Sequence, residues 1–211
     1  MGLEYEYRYV NFNKNQIVKN LKKIGGKKIG SFLFKVMVFQ HPLKTEKTYV
    51  RIRDEGYRTV MTFKDKMGEK FVNEHEVIIN DFDTGVKILL GLGCKKKYYY
   101  EKIREIWKVD DTEVIFDTNP GRPLDIMEVE SETKKELDLI VKKLNISDLS
   151  HDNFKDDEIY EKYFGIVIPA TIDLTFKNSK KELGKLVKKH KVEFNILMER
   201  QKKIYDKILK Q

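Results

Sequence analysis

Period-two alternation, with charges of one sign repeated along one side of several segments, constrains this chain more than any other feature. Residues 3–10 read LEYEYRYV, which puts Glu4, Glu6 and Arg8 on one side and Leu3, Tyr5, Tyr7 and Tyr9 on the other. Successive side chains of a strand point to opposite faces, so this is the pattern of a half-buried strand. The same parity recurs downstream, in Arg51 and Arg53, in Arg58, Thr62, Lys64 and Lys66, and in Glu74 and Glu76. It continues in Lys102 and Arg104, in Asp117, and in Glu128 and Glu130. The opposite parity is mostly apolar: Val50 and Ile52, Met61 and Phe63, His75 and Val77, Met127 and Val129.

A solvated face accounts for any one of these strands, because antiparallel sheets often wet one side. It does not account for the set, since a solvated face mixes Lys, Glu, Thr and Ser without order. If the sheet closes on itself, these side chains share one cavity in which every charge needs a partner. Paired carboxylates there supply hard oxygen ligands for Mg²⁺ or Mn²⁺. Bases from several directions grip phosphate oxygens and neutralise charge that develops in phosphoryl transfer. His41, His75, His151 and His190 are scattered and Cys94 is the single cysteine, so no cluster offers softer ligands or an internal disulfide.

The coarse grammar supports a sheet of eight strands, expected at 3–10, 31–40, 48–54, 57–66, 70–79, 96–109, 112–118 and 124–130. Asp54-Glu55-Gly56 reads as a hairpin turn. Helices are expected over 14–24, stopped by Gly25-Gly26; from a cap at Asp83 to Leu90; from a cap at Ser131 to Leu144; over 156–164; and over 179–210. A faint repeat joins the halves: Glu-x-Glu, helix, glycines, lysines, strand, starting at residue 4 and again at 74.

Composition narrows the class. The 211 residues carry 42 Lys+Arg against 34 Asp+Glu, with 40% hydrophobic residues, which excludes a disordered chain and argues against a membrane protein. No apolar run nears the roughly 20 residues of a membrane span, the N-terminus lacks a signal-peptide pattern, and Glu6 stands where N-myristoylation wants Ser or Thr. A cytoplasmic location is the expectation. Lysines outnumber arginines 35 to 7, yet five of the seven, Arg8, Arg51, Arg53, Arg58 and Arg104, lie in strand-like segments. A planar guanidinium grips an oxyanion through two parallel hydrogen bonds, which an ammonium cannot do.

LEYEYR resembles the Glu-x-Glu-x-Lys signature of the CYTH, or triphosphate tunnel metalloenzyme, superfamily. The likeness runs in order through YVRIR at 49–53, TFK at 62–64, EHEV at 74–77, KIREIW at 102–107, VIFD at 114–117 and IMEVE at 126–130. It covers most of residues 1–165, and YEKYFGI at 160–166 and DLTF at 173–176 look most like the class IV adenylate cyclase-like branch, with thiamine triphosphatase-like members close by. Arg8 departs from the signature's lysine, and the chain after about residue 177 lies outside the likeness.

The resemblance implies an α+β fold: a closed eight-stranded antiparallel β-barrel with helices packed outside. It implies a tunnel domain over 1–177; beyond the likeness, the lysines and the helical spacing of Leu183, Leu186, Val187, Phe194, Leu197, Ile204 and Ile208 give the expectation of a basic C-terminal helix over 178–211 that packs on or caps the barrel. It implies that Glu4, Glu6, Asp117, Glu128 and Glu130 hold Mg²⁺ or Mn²⁺, and that Arg8, Arg51, Arg53, Lys64, Lys102 and Arg104 bind the phosphates. Glu74, Glu76 and Lys64 then carry the catalytic expectation. The expected activity is metal-dependent hydrolysis of inorganic triphosphate or of a nucleoside or thiamine triphosphate. Class IV-type cyclisation of ATP to cyclic AMP and pyrophosphate is the alternative, and it also needs a nucleobase pocket that the sequence does not locate. A basic nucleic-acid-binding module is disfavoured, because it wants aromatics interleaved with the bases on one face, and here they fall mostly on the other. The expected partner is a small-molecule triphosphate, with no membrane, and with nucleic acid only as a 5′-triphosphate RNA substrate. The expected assembly is a monomer or homodimer.

Overall fold

The computed structural model describes residues 5–42, 48–67, 71–151, 156–169 and 171–211. Its strands are β1 (Tyr5–Tyr9), β2 (Lys27–Gln40), β3 (Thr48–Asp54), β4 (Thr59–Met67), β5 (Phe71–Ile79), β6 (Lys95–Val109), β7 (Thr112–Thr118) and β8 (Ile126–Ser131). Its helices are α1 (Lys14–Lys23), α2 (Phe82–Gly91), α3 (Lys134–Lys143), α4 (Asp156–Phe164), α5 (Ser179–Gly184) and α6 (Lys191–Ile208). All eight strands join one sheet in the order β1-β8-β7-β6-β2-β3-β4-β5, and every ladder is antiparallel. That order is symmetric about the β6–β2 pair. Each half is a strand, a helix and three more strands, so the faint sequence repeat is a structural repeat.

The expected closed barrel is corrected to a sheet with two ends. Among the described residues β1 pairs with β8 alone and β5 with β4 alone, and no ladder joins β1 to β5. The five-residue β1 is matched along its whole length by β8, whereas β5 spans nine residues and leaves Val77 and Ile78 exposed.

Helices cover the apolar side. Ile17 and Leu21 of α1 and Leu137, Ile140 and Val141 of α3 pack on Tyr9, Trp107, Val114, Phe116, Met127 and Val129. Each fully buried aliphatic side chain contributes roughly 1.5–3 kcal/mol. Leu89 of α2 packs on Phe39, Val50 and Ile52 in a second cluster. The helix lies so close to the sheet that a Cβ on Gly85 would come 2.5 Å from Ile79 Cδ1 and 2.9 Å from Ile52 Cδ1, so the ends of those side chains would have to shift for any larger residue.

Three details differ from the sequence reading. Asp81, not Asp83, caps α2, and Thr133, not Ser131, caps α3, each by accepting a backbone N–H three residues on. Arg58 lies in the turn before β4 rather than in the strand. The single helix expected over 179–210 is two. The amides of Lys188 and Lys189 donate to the carbonyl of Phe164 instead of continuing a helix, and His190 takes a left-handed conformation (φ 55°). Around this break Tyr160, Phe164, Ile166, Leu174, Leu183, Val187, Phe194, Leu197 and Met198 form a core of their own. No helix among the described residues is long and apolar enough to cross a membrane.

Candidate functional site

The side of the sheet away from α1, α2 and α3 carries the charged parity. Register alone sets Glu6 opposite Glu130, Arg8 opposite Glu128, and Arg104 opposite Asp117. On the other half it sets Arg51 opposite Thr62, Thr62 opposite Glu76, and Lys64 opposite Glu74. Directly opposed side chains on one face are neighbours, so the one-residue alternation of the sequence becomes a field of contacts.

On the β1–β8 side, Glu6, Glu128 and Glu130 bring carboxylate oxygens within 4.8 Å of one another. Burial, and then the charge of Glu128, push the Glu6 carboxyl above its ordinary range; Arg8, Arg104 and Lys102 only partly offset them. Three converging oxygen donors with repulsion left over fit a hard divalent cation. Arg8 Nε donates to Glu128 Oε1 at 3.2 Å and lies 3.5 Å from Glu6.

The middle of the face is a buried network of bases and acids. Arg104 binds Asp117 through two bonds, Nε to Oδ1 at 2.8 Å and Nη2 to Oδ2 at 2.7 Å. The same Nη2 reaches Glu128 at 2.6 Å, and Lys102 Nζ donates to Asp117 at 2.6 Å. Burial opposes ionisation of Asp117, but Lys102 and Arg104 outweigh it and hold the carboxyl well below the usual range. Burial pulls the Lys102 amine below its ordinary value in spite of Asp117.

On the β3–β5 side, Arg51 and Arg53 present Nη2 atoms 3.7 and 3.6 Å from Glu76, whose carboxylate accepts a hydrogen bond from Thr62 at 2.8 Å. Glu55, only 2% exposed, accepts from Arg53 Nε at 2.5 Å and from Arg58 Nε at 2.6 Å. Burial would raise its pKa, yet the bond from Arg58, the charge of Arg53 and a bond from Tyr57 lower it.

Most expected site residues therefore share one face. Glu6, Glu128 and Glu130 come together; Arg8, Lys102 and Arg104 adjoin them; and Arg51, Arg53, Lys64 and Glu76 share the face on the other half of the sheet. Asp117 keeps company with the bases rather than with the acidic trio. Glu4 lies outside the described residues, and for Glu74 the described part is its backbone position in β5 opposite Lys64. The sequence reading missed Glu55, hidden inside a turn, although two flanking arginines were its signal. It also missed Glu113, which shares the parity of Asp117 and pairs with Glu130 in register. Tyr98 and Tyr100 share the parity of Lys102, their rings 6.1 Å apart.

Comparison with known proteins gives a family match, a relative and two solved structures. A model of the CYTH domain matches residues 2–153. A Methanocaldococcus jannaschii protein named "Putative adenylate cyclase" is 31% identical over 176 residues, spanning 76% of this chain and 96% of that protein. A solved Vibrio parahaemolyticus structure described as a "putative adenylate cyclase" superposes with a TM-score of 0.63 at 16% identity, covering 76% of this chain and 98% of that one. A Pyrococcus horikoshii structure does so with 0.56 at 17% identity, covering 71% and 96%. At these identities the two structures speak to the fold alone.

Proposed function

The chain belongs to the CYTH domain family, and from that premise we propose that it is a metal-dependent triphosphate-processing enzyme whose leading reaction is hydrolysis. One observation carries the reading: a trio of carboxylates within 4.8 Å lies beside Arg8, Lys102 and Arg104, on the same sheet face as Arg51, Arg53 and Lys64. Glu6, Glu128 and Glu130, joined by Glu4, are the proposed ligands of Mg²⁺ or Mn²⁺. A divalent cation held there supplies Lewis-acid stabilisation of charge on the phosphoryl oxygens.

The protein's own groups do the rest. Arg8, Arg51, Arg53, Lys64, Lys102 and Arg104 bind the phosphate oxygens, Arg51 and Arg53 through bidentate bonds that fix the chain of phosphates in one register, while Arg104, whose Nε and Nη2 serve Asp117 and Glu128, adds its charge. Asp117 and Glu55 hold Arg104 and Arg53 in place before substrate arrives, so little reorganisation is left for the reaction itself. Phe34 and Val36 are buried between the two sets of bases, which lowers the local dielectric and strengthens every charge contact. Lys64, Glu74 and Glu76 are the proposed groups that orient the attacking water.

Cyclisation of a nucleoside triphosphate is the second reading. It is favoured by the Tyr98–Tyr100 pair, which offers an aromatic surface beside the bases for a nucleobase. Purified protein incubated with inorganic triphosphate, ATP and thiamine triphosphate, each with Mg²⁺ or Mn²⁺, separates the two. Orthophosphate release supports hydrolysis, pyrophosphate with cyclic AMP supports cyclisation, and no product from any substrate refutes both.

A further inference from the structure

The family match ends at residue 153, yet the chain continues through α4, α5 and α6, whose apolar core is separate from the two that pack on the sheet. That C-terminal part is tied to the sheet at the end where Asp117 lies. Leu174 donates its amide to the carbonyl of Tyr99 and accepts from the amide of Glu101, both at 2.9 Å, along the stretch of β6 that β7 does not cover. The hydroxyl of Tyr160 donates to the carbonyl of Pro120 at 2.8 Å.

The most complete tie is Gln201. It is 1% exposed on the buried side of α6, and its amide is used at both ends. Its Oε1 accepts from the amide of Gly121 at 2.7 Å, while Nε2 donates to the carbonyls of Asn119 at 2.9 Å and Arg122 at 3.3 Å. One side chain thus fixes three backbone groups of the β7–β8 loop. Within that loop Arg122, equally buried, donates from Nη2 to the carbonyl of Asp117 at 2.8 Å and from Nε to that of Leu124 at 2.9 Å. The carboxylate of the same Asp117 holds Lys102 and Arg104, and Arg104 in turn holds Glu128. A continuous path of short polar contacts runs from α6 to the bases.

We infer that Gln201 is a positioning residue for the phosphate-binding bases: through the β7–β8 loop and Arg122 it sets where Asp117 stands, and so where Lys102 and Arg104 point. The inference rests on the phosphate-grip reading above. It gives the C-terminal helices a part in the site although neither α5 nor α6 supplies a proposed ligand. Only an amide serves here, because the pocket asks for one acceptor and two donors in fixed places. An apolar side chain takes this partner from the Gly121 amide and the Arg122 carbonyl in a buried place, while the Asn119 carbonyl keeps only the amide of Arg122 at 3.1 Å, and the loop moves to relieve the loss.

The test uses the full chain and measures binding of inorganic triphosphate in EDTA by calorimetry, alongside thermal unfolding and amide exchange of residues 117–124. Gln201→Met is expected to weaken binding about tenfold and to speed exchange of the Gly121 amide. Tyr160→Phe, which removes a second tie to the same loop with little change of shape, is expected to weaken binding about threefold. Val187→Ala, a cavity in the C-terminal core away from the loop contacts, is expected to lower the unfolding temperature and leave binding within twofold. Gln201→Met and Tyr160→Phe proteins that bind like wild type overturn the inference, as does a loss in Val187→Ala equal to theirs. Wild-type protein that does not bind triphosphate sinks the phosphate reading and this inference together, so the two failures are distinguishable.

Discussion

Glu6→Gln separates a metal site from a chance cluster of acids, because it should stabilise the metal-free protein while disabling it. Two carboxylate charges 4.8 Å apart repel by about 3.5 kcal/mol at an effective dielectric of 20 and by about 0.9 kcal/mol in water. The Glu6 side chain is 40% exposed, so solvent screening places the repulsion near the lower figure. Part of the relief is lost with the attraction to Arg8 at 3.5 Å. The net expectation is a gain of about 0.5–1 kcal/mol without metal, which is roughly 1–4 °C for a chain of this size. Metal binding should move the other way. Removing even an outer partner of a ligand costs roughly 10–100-fold in affinity, and loss of a charged ligand should cost at least that. Thermal unfolding in EDTA and a Mn²⁺ titration read the two effects. Wild-type Mn²⁺ affinity should also weaken as pH falls, beginning above the ordinary carboxylate range, because a raised Glu6 pKa lets protons compete early. A variant that is less stable without metal and binds Mn²⁺ like wild type refutes the reasoning.

Arg51→Lys and Arg53→Lys keep the charge but lose the bidentate grip, so each should weaken triphosphate binding by the roughly 1.5–3 kcal/mol of a charge-assisted bond, read by calorimetry. Asp117→Asn takes the hydrogen-bonded counter-charge from buried Lys102 and leaves Arg104 with Glu128 alone, and should cost about 3 kcal/mol at neutral pH, read by urea unfolding. The pKa of Asp117 is depressed in the folded protein, so its stabilisation is present above the unfolded value and lost as pH falls through the folded one; the variant should therefore lose less stability than wild type below about pH 4. Residues 179–211 carry eleven Lys+Arg against four Asp+Glu, which places +7 of the chain's +8 in this segment. Lys202→Glu combined with Lys203→Glu should lower kcat/KM at low salt, with the loss shrinking above about 0.1 M as screening sets in.

Strand parity was legible because it is local: Arg51 and Arg53, or Glu128 and Glu130, share a face whatever the strand pairs with. Company across strands was not. Asp117 was expected among metal ligands, and only the β6–β7 register shows that Lys102 and Arg104 claim it first. Closure of the sheet depends on whether its two end strands meet, which no pattern within either strand records. Glu55 was hidden by its place in a turn, where sequence argues for backbone geometry and is silent on a buried carboxylate. Residues 179–210 kept helical spacing of apolar residues straight through a break, because Lys188 and Lys189 turn to Phe164, a tertiary contact that local periodicity cannot anticipate. Gln201 reads in the sequence as one polar residue on a basic helix, because its partners lie some eighty positions earlier in the chain.

The claim that one sheet face binds the phosphates and the metal together is tested most directly by titrating a non-hydrolysable triphosphate into wild-type protein, first in EDTA and then with saturating Mg²⁺. The account predicts one molecule bound per chain in both conditions, at least tenfold more tightly with Mg²⁺, since the cation offsets charge on the carboxylates and the phosphates at once. No binding at millimolar triphosphate, or an affinity indifferent to Mg²⁺, would contradict it.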